Sequence, residues 1–248
     1  MRELAPPLRT VRAVVLDTDG VITDSARLHA EAWKTVFDAF LKEHPPELDM
    51  HRRPFDIALD YPRYVDGKAR RDGAAAFLAS RELRPDPATV ESVAADKDRH
   101  YTDRLHHGTA VPAYPGTVRL LHALLDSGVL LAAASASLHA RELLTRAHVI
   151  DLFDAVVDGT EAARLNLQGK PAPDLFLEAA RRLRTDPGRT AVVEDAPAGV
   201  EAGRHGGFAV VIGVDRTPGR DRTEELLHHG ADLVVGDLSE LILEGDAP

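Results

Sequence analysis

The chain contains no cysteine, so no disulfide can form and a cytosolic home is the expectation. It also lacks any run approaching the roughly 20 apolar residues that a membrane-spanning helix needs. The longest candidate, around Val129–Ala136, is strand-sized, and a soluble protein with no membrane partner is expected. The opening residues Met1–Arg12 have no apolar core of the kind a secretory signal requires. Positive charge is in deficit: 30 Lys and Arg stand against 40 Asp and Glu, a formal charge of −10. That balance argues against nucleic acid or an anionic membrane surface as a partner, because both want a basic face. Any phosphate bound must therefore be held by a few local cations or by a metal. Internal repeats and low-complexity tracts are missing as well.

What is present is 248 residues, enough for one large domain or a core domain with a smaller one. Ala13-Val14-Val15-Leu16 reads as a fully buried strand, and Gly20 punctuates its end. Asp17 and Asp19 thus sit where a strand stops, an edge at which open α/β sheets bind ligands. Taken alone, the same residues also describe an ordinary strand-to-loop turn. After Ser25 the period becomes helical, with Leu28, Ala32, Val36 and Phe40 on one face and Asp24 or Ser25 as N-cap. Prolines 45, 46, 54 and 62 break the stretch from His44 to Arg63. Helices are predicted at Gly73–Ser80 and Pro87–His106, and no core strand is read between Ser25 and Gly108.

From Val111 strands and helices alternate. Strands are predicted at Val129–Ala134, Ala155–Val157, Thr190–Val193, Phe208–Ile212 and Asp232–Val235. The helices between them are read at Gly116–Ser127, Leu138–Ala147, Asp174–Leu183, from Pro197, and near Thr223–His229. This alternation implies βαβ units and a parallel sheet with helices on both faces. Three of its strands end in polar residues: Asp17 with Asp19, Ser135, and Glu194 with Asp195. If these strands are parallel neighbours, all five side chains gather at one sheet edge. Lys170, in Gly169-Lys170-Pro171-Ala172-Pro173-Asp174, supplies a cation to that cluster of acids. Singly, Ser135 reads as an N-cap, Lys170 as a surface lysine and Glu194-Asp195 as acids favouring a helix N-terminus. Their joint arrangement overturns those readings.

These four motifs, in this order, resemble those of the haloacid dehalogenase-like superfamily, in its β-phosphoglucomutase-like hydrolase and phosphomutase branch. The likeness runs from about residue 13 to 236. It implies an α/β fold: a Rossmann-like, doubly wound parallel sheet core, residues 1–24 and 109–248, with a small helical cap domain, residues 25–108, inserted after the first strand. It implies Mg²⁺-dependent phosphoryl transfer on a small phosphorylated metabolite, a sugar phosphate, by a phosphatase or a mutase. Asp17 is then the nucleophile, giving an aspartyl-phosphate, and Asp19 the general acid and base. Ser135 donates to a phosphoryl oxygen and Lys170 neutralises charge. Asp17, the backbone carbonyl of Asp19, and Asp195 are the implied Mg²⁺ ligands, with Glu194 at or just outside that shell.

In the cap the resemblance assigns substrate contacts to Arg70 and Lys97. Arg71 stands where the branch has an acid and Gly73 where it has a serine. Ser137-Leu138-His139 replaces a Ser-Lys-Asn run that holds the distal phosphate in the phosphoglucomutases. Ser137 is retained, the lysine is lost, and His139 binds phosphate if protonated or suitably placed. His29 follows Thr23-Asp24-Ser25-Ala26 at the hinge and is assigned to orienting substrate or positioning Asp19. The alternatives are a regulatory or binding protein that keeps the fold without turnover, and a phosphonatase-type hydrolase.

Overall fold

The computed structural model describes residues 3–108, 111–216 and 222–243. The chain divides into two compact units, Met1–Asp24 with Pro112–Pro248, and Ser25–Val111. The expected boundary between 108 and 109 meets residue 109, which lies outside the described residues. The first unit opens with β1 (Glu3–Leu4) and β2 (Ala13–Leu16). The second follows with α1 (Ala26–Glu43), α2 (Arg70–Ser80) and α3 (Pro87–His107). The first unit resumes with α4 (Pro115–Asp126), β3 (Leu130–Ala134), α5 (Ala140–Arg146), β4 (Ala155–Val157), α6 (Gly159–Leu165) and α7 (Asp174–Arg182). It continues through β5 (Thr190–Glu194), α8 (Pro197–His205), β6 (Val210–Val214), α9 (Thr223–His228), β7 (Leu233–Val235) and β8 (Ile242–Leu243).

Strands β2 to β7 form one parallel sheet in the order β4-β3-β2-β5-β6-β7. Successive residues of a strand serve opposite layers. Val14 and Leu16 pack with Leu120, Leu121 and Leu124 of α4, whereas Ala13 and Val15 pack with Leu175, Phe176 and Ala179 of α7 and Val200 of α8. Helices on both faces leave no strand face to water, which is why the central strands read as continuous apolar runs rather than alternating ones. The chain steps from β2 to β3 and β4 on one side, then crosses to β5, β6 and β7 on the other. The reversal lies between β2 and β5, and the crevice beyond the carboxyl ends of such strands is where open α/β sheets take ligands.

Several boundaries differ from expectation for local reasons. Helix α5 starts at Ala140 rather than Leu138, because Ser137 Oγ accepts the amide of His139 in a turn ahead of it. Strand β6 begins at Val210 rather than Phe208, since the Ala209 amide bonds to the Pro187 and Thr190 carbonyls. Helix α2 starts three residues earlier than predicted and runs through Gly73, where a Cβ would stand 3.2 Å from Val65. Helix α6 and the antiparallel pair β1–β8 were not expected. Ser25 occupies the N-cap position of α1 without making a capping bond, and Asp24 instead accepts from the Tyr114 hydroxyl at 3.0 Å.

Among the described residues the second unit has no strand. Its proline-broken stretch holds a single 3₁₀ turn at Asp49–His51 and a π-helical turn at Tyr61–Val65. The core is aromatic: Phe37 packs on Phe77 at 4.0 Å and on Trp33 at 4.7 Å between ring centres. Beside it Asp60, 1% exposed, takes bonds from Arg53 at 2.6 and 2.8 Å and from Arg81 at 2.8 Å. Burial opposes ionisation of Asp60, but the two guanidiniums and the Asp56 backbone outweigh it and hold the carboxyl below its usual range.

Candidate active site

The amide of Asp17 donates to the Val193 carbonyl at 2.9 Å, extending the β2–β5 ladder one residue past β2. This places Asp17 beside Glu194, the last residue of β5. Between them stands Lys170, whose Nζ lies 2.5 Å from Asp17 Oδ1 and 2.5 Å from Glu194 Oε1. Its side chain is 1% exposed, and its ammonium sits 4.9 Å from the Phe176 ring centre. Glu194 is fully buried, and its second oxygen accepts the amides of Asp195 at 2.5 Å and Ala196 at 2.8 Å. Gly199, in the first turn of α8, makes room for it: a Cβ there would stand 1.7 Å from Glu194 Oε1.

The turn after β2 is built from its own side chains. Asp17 Oδ2 accepts the Asp19 amide at 2.9 Å, the local bond that makes Asp a turn former. Gly20 then adopts φ +82°, and a Cβ there would lie 1.9 Å from Asp195 Oδ2. Glycine is required here twice over, for the positive φ and for the approach of the carboxylate. Ser135, just past β3, donates from Oγ to Asp19 Oδ2 at 3.2 Å and accepts the Ser137 amide at 3.1 Å. The structure thus brings Asp17, Asp19, Ser135, Lys170, Glu194 and Asp195 to one edge of the sheet. Ser135 does not cap α5, which begins five residues later, and Lys170 is buried rather than solvated.

The electrostatics follow from burial and an excess of acid. Burial pushes the Asp17 carboxyl up to about 8; Lys170 opposes this, and Glu194 and Asp19 add to it. Burial likewise disfavours the Lys170 ammonium, but Asp17 and Glu194 outweigh it and raise its pKa. One cation therefore does not neutralise the cluster. Ligand oxygens of Asp17, Glu194 and Asp195 all lie within 4.8 Å of one another, a hard, all-oxygen donor set that fits a divalent cation such as Mg²⁺.

The remaining candidates take other places. Ser137 Oγ accepts the His139 amide at 3.2 Å, and His139 holds the position before α5. In the second unit Lys97 Nζ lies 2.7 Å from His29 Nδ1. An ammonium only donates, so a charged Lys97 requires His29 to accept on Nδ1. Tyr101 stacks on His29 at 4.1 Å and lies 4.5 Å from the Lys97 ammonium. Arg70, at the start of α2, is 3.8 Å from Asp98 and 3.9 Å from Glu91. Its Nε is buried and has no hydrogen-bond partner among the described residues.

Sequence reasoning passed over Arg216, Tyr114 and Thr117, which surround the Gly20–Val21 turn. Arg216 stands two residues beyond the end of β6, but a lone arginine past a strand end does not show in the sequence which distant groups it will hold.

A family model for haloacid dehalogenase-like hydrolases matches residues 11–207. The chain is 42% identical over 241 residues to a β-phosphoglucomutase of Mycobacterium bovis, covering 94% of this chain and 92% of that one. It is 34% identical over 237 residues to a β-phosphoglucomutase of Bacillus subtilis, covering 94% and 93%. In fold it is similar to a crystal structure of β-phosphoglucomutase from Clostridium difficile, with a TM-score of 0.71 over 93% of each chain at 24% identity. With its motifs in order and a parallel sheet to carry them, the chain belongs to the haloacid dehalogenase-like hydrolase family, in the β-phosphoglucomutase-like branch, and is an enzyme of that family.

Proposed function

We propose that this enzyme moves a phosphoryl group through an aspartyl-phosphate on Asp17, using Mg²⁺ and a small sugar phosphate, in the manner of a β-phosphoglucomutase. The observation that carries the reading is the Lys170 ammonium held 2.5 Å from both Asp17 and Glu194, with the Asp19 carboxylate bonded to Ser135 beside it. In its ionised form, which the Lys170 ammonium favours, Asp17 forms a bond from a carboxylate oxygen to phosphorus as the bond from phosphorus to the sugar oxygen breaks. Asp19, entering this step as the protonated acid, gives its proton to the departing oxygen and is left as the carboxylate that acts as base in the return. In the return step Asp19 takes the proton of the incoming hydroxyl, the hydroxyl oxygen bonds to phosphorus, and Asp17 is released as a carboxylate. Lys170 balances charge on the phosphoryl oxygens and on Asp17, and the Ser135 hydroxyl donates to one of those oxygens. Asp17, Asp195 and the Asp19 carbonyl are the groups that would hold Mg²⁺, which when bound supplies charge neutralisation at the phosphoryl group.

His29, Arg70, Lys97, Ser137 and His139 are the proposed substrate contacts. The names of the relatives support a sugar hydroxyl as acceptor; the Ser137-Leu138-His139 run, without the lysine, favours water instead. The absence of cysteine supports a cytoplasmic setting. The test supplies β-glucose 1-phosphate with and without glucose 1,6-bisphosphate and follows glucose 6-phosphate and free phosphate together. Bisphosphate-dependent glucose 6-phosphate is expected. Free phosphate alone makes the enzyme a phosphohydrolase, and neither product from a broad sugar-phosphate panel overturns the reading.

A further inference from the structure

We infer that Arg216 is a positioning residue of this reaction, holding the Asp19–Gly20 segment where the Asp19 carboxylate works; the inference rests on the acid–base role given above to Asp19. Arg216 Nε donates to the Gly20 carbonyl at 3.0 Å, and Nη2 donates to Thr117 Oγ1 at 3.1 Å and to the Val21 carbonyl at 3.4 Å. Nη1 pairs with Asp237 at 3.2 Å. The guanidinium carbon lies 3.9 Å from the centre of the Tyr114 ring, and the Tyr114 hydroxyl donates to Asp24. The Arg216 side chain is 15% exposed. Of its four partners one is the Asp237 carboxylate and three are neutral acceptors, two of them backbone carbonyls of the Gly20–Val21 turn, so the guanidinium fixes that turn as well as pairing a charge.

The place it grips explains why. Asp19 is fixed on its N-terminal side by its amide bond to Asp17 Oδ2. On the C-terminal side follows Gly20, at φ +82° and with no side chain to pack, so the peptide planes around it are held by hydrogen bonds alone. Gly20 N bonds to the Thr23 carbonyl, and Arg216 takes the Gly20 carbonyl. Thr117 and Arg216 share the Val21 carbonyl. Through Tyr114 the same guanidinium reaches the two segments that join the units, which pair by Tyr114 N to Ile22 O at 2.9 Å and Asp24 N to Pro112 O at 3.2 Å. A planar fork makes these bonds together; a lysine ammonium is a point charge that does not reproduce them.

The experiment compares Arg216→Met and Arg216→Lys with Arg204→Met, which removes another arginine bonded to a backbone carbonyl, that of Gly230, and to Asp232. Steady-state kinetics across pH and amide hydrogen exchange are read on each. Arg216→Met is expected to lower kcat about 100-fold, the scale of a displacement of about 1 Å in a catalytic group, with KM within about threefold of wild type. Arg216→Lys should recover part of that loss. Both should flatten the acid–base limbs of the kcat profile and speed exchange at residues 19–22, leaving the β3 and β5 amides unchanged. Arg204→Met should match wild type in all three. If Arg216→Met fails to fold, Arg216→Lys alone decides by the same readouts. The inference is overturned if kcat stays within about twofold of wild type, if Arg204→Met loses as much, or if exchange at 19–22 does not change. Wild type and Asp17→Asn are run alongside: turnover in the first and none in the second upholds the functional reading whatever Arg216 does. If wild type turns over nothing, the functional reading fails and the positioning role falls with it, whatever the exchange at 19–22.

Discussion

Asp17 shows most clearly how a residue's surroundings set its chemistry, because its carboxyl is bonded to an ammonium at 2.5 Å and is nevertheless raised to about 8. Burial, with Glu194 and Asp19 close by, outweighs the single cation. The sign of the consequence follows from linkage: a carboxyl that holds its proton more tightly when folded contributes stability that is full below its unfolded value of 3.8 and is lost as pH rises through about 8. In EDTA the thermal midpoint of wild type should therefore fall between pH 6 and 9 more steeply than that of Asp17→Asn; parallel slopes would count against the assignment. Asp17, Asp19, Ser135 and Glu194 were legible in the sequence because a parallel sheet sends every strand end to one edge, so local strand signals suffice. Arg216 was not, since the groups it holds at the turn are backbone carbonyls 195 and 196 residues away, and a carbonyl has no residue-type signature.

Among the elements, the continuous apolar strands and the long amphipathic helices were readable because burial on both sheet faces, or on one helix face, prints a period on the sequence. Helix α6 was missed although its start signal is present: Asp158 caps the Glu161 amide at 2.9 Å, and the helix closes at Asn166 with φ 54°. Of its seven residues just Gly159 is fully buried, so no apolar face shows in the sequence. The β1–β8 pair joins two-residue strands from opposite ends of the chain, and no local pattern announces such a pairing. The second unit depends on an ion cluster as well as on its aromatic core. Asp60→Leu strands Arg81, which is 4% exposed, and should cost about 3–5 kcal/mol of unfolding free energy. Chemical denaturation followed by the fluorescence of Trp33, the single tryptophan and part of that core, measures it. A loss below about 1 kcal/mol, the scale of an exposed pair, would show that the cluster is solvated rather than structural.

For the whole molecule, the question is how a chain of charge −10 serves an anionic substrate. The answer proposed is local: one buried lysine and a divalent cation, held where the sheet reverses its order. Strand alternation was enough to expect that sheet and its carboxyl edge, whereas the reach of Arg216 from beyond β6 back to the Gly20 turn exists only in the folded chain. Mg²⁺ at about 100 times its Kd should add about 2.7 kcal/mol to stability. The resulting shift in thermal midpoint should be largely lost in Asp195→Ala, and an undiminished shift would remove Asp195 from the ligand set. Whether Asp17 carries the phosphoryl group is decided by acid-quenching the enzyme during turnover with glucose 1,6-bisphosphate, reducing the acyl phosphate with borohydride and mapping the peptides. The modification is expected on Asp17 alone, with none in Asp17→Asn; a modification on any other residue, or an active enzyme with none, would remove Asp17 as the nucleophile.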